Sequence, residues 1–133
     1  MKTSVMSLSL VSLLFVMSAA GCTTLNDARN AKGKGRSSTY EAPFETVWEK
    51  TRIAVADTGL SIANENKEGG YILAQKGLTA FSYGENVAVF VDKIDATRTK
   101  VEVVSKKAMG TNLFATNWEK PILDRVTQLV EKK

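Results

Sequence analysis

The sequence predicts a two-layer α+β domain, an antiparallel sheet of four to five strands with two helices packed on one face. Two observations carry this. Four segments between Leu60 and Lys106 alternate as half-buried strands do, joined mostly by connections too short for a crossover, and the segments before and after them repeat with the period of a helix. Such strands pair antiparallel, and helices at the two ends of the run segregate to one side of the sheet. With 133 residues, 44% hydrophobic and 24% charged, the chain has room for one domain of this kind.

The first segment has the parts of a secretory leader: Lys2, an apolar run from Val5 to Met17, and the small residues Ser18-Ala19-Ala20-Gly21 ahead of Cys22. The run is broken by Ser7, Ser9 and Ser12 and falls short of the ~20 apolar residues that a permanent span requires. Residues 1–21 therefore read as a cleaved signal peptide. Ala19-Ala20-Gly21-Cys22 resembles the lipobox of bacterial lipoproteins, with Ala19 where that family usually has leucine. The resemblance implies lipidation at Cys22, which becomes the mature N-terminus. The alternative is an ordinary secreted protein cut near Ala20 and left with one free thiol. Acyl chains contribute ~0.8 kcal/mol per buried methylene, and several chains together anchor stably. Loss of Lys2 with the leader takes the formal charge from +4 to +3, too little to argue for nucleic acid.

Residues 22–37 read as the lipidated N-terminus and a flexible tether. Leu25 is the only large apolar residue, among Asn26, Asp27, Asn30, Gly33, Gly35 and the cations Arg29, Lys32, Lys34 and Arg36. Those cations either press the tether against anionic headgroups or keep it extended in solvent.

The folded domain is expected over 38–133. Ser38-Thr39-Tyr40 reads as a short strand. After Pro43, the residues Phe44, Val47, Trp48, Thr51, Ala54 and Val55 share one face of a helix from Phe44 to Thr58, and Gly59 ends it. Leu60 to Ala63 and Tyr71 to Lys76 alternate around the turn cluster 66–70 and form a hairpin. Asn86 to Ile94 and Lys100 to Lys106 form a second hairpin about Asp95-Ala96-Thr97-Arg98. Segments 77–85 and 107–116 lack a period and read as loops or strand extensions. The last helix starts near Asn117, with Trp118, Ile122, Val126, Leu129 and Val130 on its apolar face.

Tyr40 to Trp48, Gly59-Leu60-Ser61-Ile62 and Gly69-Gly70-Tyr71-Ile72-Leu73-Ala74 look like small Gram-negative lipoproteins of uncharacterised function. The layout is similar to the helix-grip domains of the BamC lipoprotein, part of the outer-membrane assembly machinery. These motifs are structural and imply a fold rather than a chemistry. Thr23, rather than aspartate, after the lipid-bearing cysteine implies sorting to the outer membrane, with the domain facing the periplasm.

Catalytic groups are few. The sequence has no histidine, which removes imidazole bases and the commonest metal ligand, and Cys22 is assigned to lipid. Asp92 and Asp95 could pair for acid–base work, but Asp95 opens a turn where aspartate is favoured for backbone reasons. Ser105 and Lys106 are adjacent strand residues and point to opposite faces. Gly33-Lys34-Gly35 lacks the spacing of a phosphate loop. No enzyme activity, cofactor or metal is expected.

The pleat sends Val87, Val89, Val91, Val101, Val103, Ile62, Ile72 and Ala74 toward the helices, and Tyr71, Leu73, Ala88, Phe90 and Val104 to the opposite face. With only two helices, that face is open, and Tyr71, Leu73, Phe90 and Val104 become a candidate interaction surface for an envelope protein or a second copy. Otherwise segment 77–85, with Leu78, Phe81 and Tyr83, folds over it. The leading reading is a non-enzymatic accessory or protein-binding module of the envelope. A carrier of a small apolar ligand, held between helices and sheet near Trp48, Phe81 or Trp118, is the alternative, and a hydrolase with an unrecognised site is the third.

Overall fold

The computed structural model describes residues 23–77, 84–108 and 115–132. Its elements are α1 (Leu25–Asn30), β1 (Arg36–Tyr40), α2 (Phe44–Asp57), β2 (Ser61–Asn66), β3 (Tyr71–Lys76), β4 (Glu85–Lys93), β5 (Thr99–Lys107) and α3 (Glu119–Glu131). The strands form one antiparallel sheet in the order β1-β5-β4-β3-β2. β2 to β5 lie side by side in chain order, with short turns joining β2 to β3 and β4 to β5. The chain enters at the opposite edge with β1, and α2 carries it across the sheet to β2.

The α+β architecture is the expected one, and the register explains why. Val89 stands opposite Val103 and Ile72, and Val91 opposite Val101, so one face is a continuous aliphatic layer. Onto it α2 brings Val47, Trp48, Ala54 and Val55, and α3 brings Ile122, Leu123 and Val126, all buried. Phe44 stacks on Trp48 with ring centroids 5.9 Å apart, and Ile62 and Trp118 close the margins of this core. Two hydroxyls inside it are satisfied, Thr51 donating to the Val47 carbonyl and Thr99 to that of Ala42, whereas the Trp118 Nε1 at its margin is buried without a partner among the described residues. The Tyr40 hydroxyl lies within hydrogen-bonding distance of Thr127 Oγ1 and of the Leu123 carbonyl.

Boundaries shift by small amounts. α3 begins two residues after Asn117, whose Oδ1 accepts from the Glu119 N–H at 2.9 Å, so the asparagine caps from just outside the helix. β2 runs on to Asn66 because an irregularity between Ile62 and Asn64 lets it keep pairing with β3. β1 starts at Arg36 rather than Ser38.

The larger correction concerns residues 22–37, expected as a tether. From Thr23 onward this segment is part of the fold. Thr24 and Asp27 make a capping box: the Asp27 N–H donates to Thr24 Oγ1 at 3.2 Å, and the Thr24 N–H donates to Asp27 Oδ2 at 2.6 Å. The helix they start, α1, lies on the face of the sheet away from α2 and α3. Six residues cannot hold a helix by themselves. Burial does it here: Ala28 and Ala31 sink onto Leu73, Ala88, Phe90 and Val104, with Leu25 and Tyr71 at the rim. Alanine is what allows this, because a short side chain lets the helix backbone approach the sheet closely.

Candidate functional site

Two features bear on function: the sheet face beneath α1, and the hydrogen bonds that tie Thr23, next to Cys22, to the end of the sheet.

The sheet face is composed as the alternation predicts, but it is not open. Leu73 is 8% exposed, Phe90 4% and Val104 2%, while Tyr71 is half-buried. The expectation of uncovered side chains at Tyr71, Leu73, Phe90 and Val104 is therefore corrected. Their cover is this chain's own α1 and the turn after it. Segment 77–85, the other cover considered, lies outside the described residues between 78 and 83.

Side chains that looked like solvated tether charges complete the cover. The Arg29 guanidinium sits 4.4 Å from the centroid of the Tyr71 ring, and Lys32 Nζ 5.3 Å from that of Phe90. Lys32 also reaches Asp92 Oδ1 at 2.7 Å. That pair is exposed and contributes ~0–1 kcal/mol, so apolar contact by the lysine stem is its larger service. Behind the helix, the buried Glu102 carboxylate accepts from the Gly33 N–H at 2.6 Å and the Gly35 N–H at 3.1 Å. Gly33-Lys34-Gly35 is thus a latch closed on a carboxylate of its own sheet.

Thr23 is tied to the end of the sheet. Its N–H donates to the Ala108 carbonyl at 2.9 Å, its hydroxyl donates to the Lys107 carbonyl, and its own carbonyl accepts from Asn86 Nδ2 at 2.9 Å. Both backbone groups of Thr23 are therefore tied to the end of the sheet where β5 finishes and β4 begins. Lys107 is exposed and Lys106 half-buried beside it, and Lys76 closes the same end of β3. Cys22 lies one residue before the first described residue.

The remaining sequence candidates have structural partners. Asp95 Oδ1 accepts from the Thr97 N–H at 2.9 Å, and Oδ2 accepts from Arg98 Nε at 2.8 Å. Those bonds, the backbone one first, lower its pKa to about 2. Asp92 is held by Lys32, so the two aspartates serve different elements. Ser105 Oγ accepts from the Trp118 N–H at 3.1 Å and positions the start of α3, while Lys106 faces Asp27 electrostatically. Trp48 is core, and Phe81 lies outside the described residues.

An open cleft of about 340 Å³ lies at the other end of the sheet, between Phe44, the hairpin residues Lys67 to Gly70, and Val91 to Lys93. Two of its ionic groups are engaged, Lys67 with Glu45 and Asp92 with Lys32. Among the described residues, no three acidic, histidine or cysteine side chains cluster, and no helix is long and apolar enough to cross a membrane. Compared with known proteins, the chain matches no family model and no curated sequence.

Asp95 yields a pH prediction. Its folded pKa lies below the ordinary 3.8, so its contribution to the β4–β5 turn is full above about 3.8 and is lost as pH falls through about 2. Carboxyl NMR should place the Asp95 midpoint near 2, and a midpoint near 4 would mean the turn bonds are not kept in solution.

Proposed function

We propose that the protein is a lipid-anchored, non-enzymatic component of the bacterial envelope, held in the outer membrane by acyl chains on Cys22, with its domain facing the periplasm as an accessory or protein-binding module. One observation carries this reading. The only cysteine follows a leader and small residues, and the very next residue is hydrogen-bonded into the sheet. A lone cysteine at that junction suits an attachment point.

The lack of histidine supports the non-enzymatic part, as does the use of Asp92, Asp95, Ser105 and Glu102 as structural partners. The carrier reading is the less favoured one, because aliphatic side chains meet between the helices and the sheet. Val47, Val55, Ile72, Val89, Val101, Ile122 and Val126 meet there with no side chain more than 1% exposed.

Metabolic labelling with an alkyne fatty acid, followed by membrane fractionation, tests the anchor. Wild type should carry label and sediment with outer membrane; Cys22→Ala should lose the label and at least tenfold of the membrane-bound fraction. Membrane association that survives in the unlabelled variant would refute it.

A further inference from the structure

We propose that the domain is anchored with no spacer before Thr23 and turns toward the membrane the end of the sheet where β3 and β5 finish and β4 starts. This rests on the reading of Cys22 as the lipid-bearing residue. It goes further by fixing which surface meets the lipid and which faces away.

The length of free chain decides the matter. A flexible tether of about fifteen residues would let the domain wander ~20 Å from its anchor and present any side to the bilayer. Thr23 removes that freedom. Its N–H, hydroxyl and carbonyl are all tied to Ala108, Lys107 and Asn86, and consecutive Cα atoms are only ~3.8 Å apart. The acyl chains on Cys22 therefore leave the protein within one residue of the sheet's end.

Charge at this end suits an anionic lipid surface. Exposed Lys107 lies beside Thr23 at the finish of β5, and Lys76, whose Nζ reaches the Gly59 carbonyl at 3.4 Å, ends β3 two strands away, ~10 Å across the sheet. Two lysine positions beside a lipid pivot resist tilting in a way that one pivot cannot. The carboxylates nearby are turned to the protein: Asp27 caps α1, Glu85 accepts from the Thr116 N–H, and Glu119 accepts from the Ser105 N–H. The distal end follows from the strand length. β5 rises ~26 Å from Lys107 to Thr99, so the β4–β5 turn with exposed Ile94, the β2–β3 turn and the open cleft face away from the bilayer.

Because Cys22 is the only cysteine and its sulfur is acylated, single reporters can be placed cleanly. Lipidated Lys107→Cys and Ala96→Cys proteins, bimane-labelled, are reconstituted into phosphatidylethanolamine–phosphatidylglycerol vesicles containing a nitroxide-headgroup lipid. Both substitutions are at exposed positions, and circular dichroism checks the fold. Quenching at 107 should exceed that at 96 by at least fivefold, and six Gly/Ser residues inserted between Cys22 and Thr23 should lower the ratio at least twofold. Equal quenching, or stronger quenching at 96, in protein that carries lipid and floats with vesicles overturns the orientation and leaves the anchor standing. A ratio untouched by the insertion overturns the role of Thr23. Protein with no lipid overturns both readings.

Discussion

Phe90→Ala is expected to destabilise the domain by about 3 kcal/mol and to release α1 from the sheet. The ring is almost fully buried between the sheet and the helix, touching the cluster of Ala28, Ala31, Leu73, Ala88 and Val104. Truncating a buried phenylalanine removes its transfer free energy and leaves a cavity, together about 3–5 kcal/mol. The lower figure applies because α1 is a short element that can shift toward the gap. It cannot settle well, since its contacts are made by alanines and by the Lys32 stem over the lost ring. A six-residue helix without burial does not persist in water. Urea unfolding should show the fall, and hydrogen exchange should show the Ala28 and Ala31 amides, bonded to Thr24 and Ala28 carbonyls, exchanging faster than those of α2 and α3. A stability change under about 0.5 kcal/mol would mean that Phe90 is free to meet a partner, as the sequence alone suggests.

That contrast marks where sequence reading works and where it stops. Strand alternation sorted Val87, Val89 and Val91 from Ala88 and Phe90 correctly, because side-chain direction in a strand is a property of covalent geometry. The helix-facing residues of α2 were equally legible, Phe44 to Val55 repeating with a clear period. What covers the second face was not, because α1 lacks the usual sign of burial, a stripe of large apolar side chains. Its signals are smaller: Thr24 and Asp27 at capping-box spacing, and Leu25, Ala28 and Ala31 recurring every third residue. Ala28 counts little on a hydropathy scale, yet its small volume brings the helix onto the sheet. The cations of this segment misled in the same way, since Arg29 and Lys32 cover aromatic rings as well as carrying charge. The proposal for Cys22 comes from its sequence neighbours. That Thr23 beside it is tied to the sheet was not legible, because it depends on a residue 85 positions further along the chain.

Gly35→Ala is expected to cost about 3 kcal/mol or more, although Gly35 has no unusual backbone angle. An added Cβ would lie 2.1 Å from the Val103 carbonyl oxygen and 2.8 Å from Val104 Cγ2. The oxygen belongs to the backbone of β5 and cannot swing aside, so the start of β1 must move away, where Arg36 pairs with Val103. Overpacking of this kind costs about 1–3 kcal/mol. The same movement draws the Gly35 N–H from Glu102, and a hydrogen bond to a charged group is worth about 1.5–3 kcal/mol. Gly33→Ala provides the comparison. Gly33 has φ of 90°, which an alanine adopts with strain, but nothing lies within 4 Å of its Cβ position. Its substitution should cost only about 1–2 kcal/mol. Urea midpoints at unchanged m-value should therefore rank wild type above Gly33→Ala and Gly33→Ala above Gly35→Ala. The reverse order would show that backbone conformation, rather than the approach of Gly35 to β5, governs how tightly the latch holds α1 on the sheet. Since α1 joins Thr23 to β1, that latch also governs, in the proposed anchoring through Cys22, whether the domain sits on the lipid or swings from it.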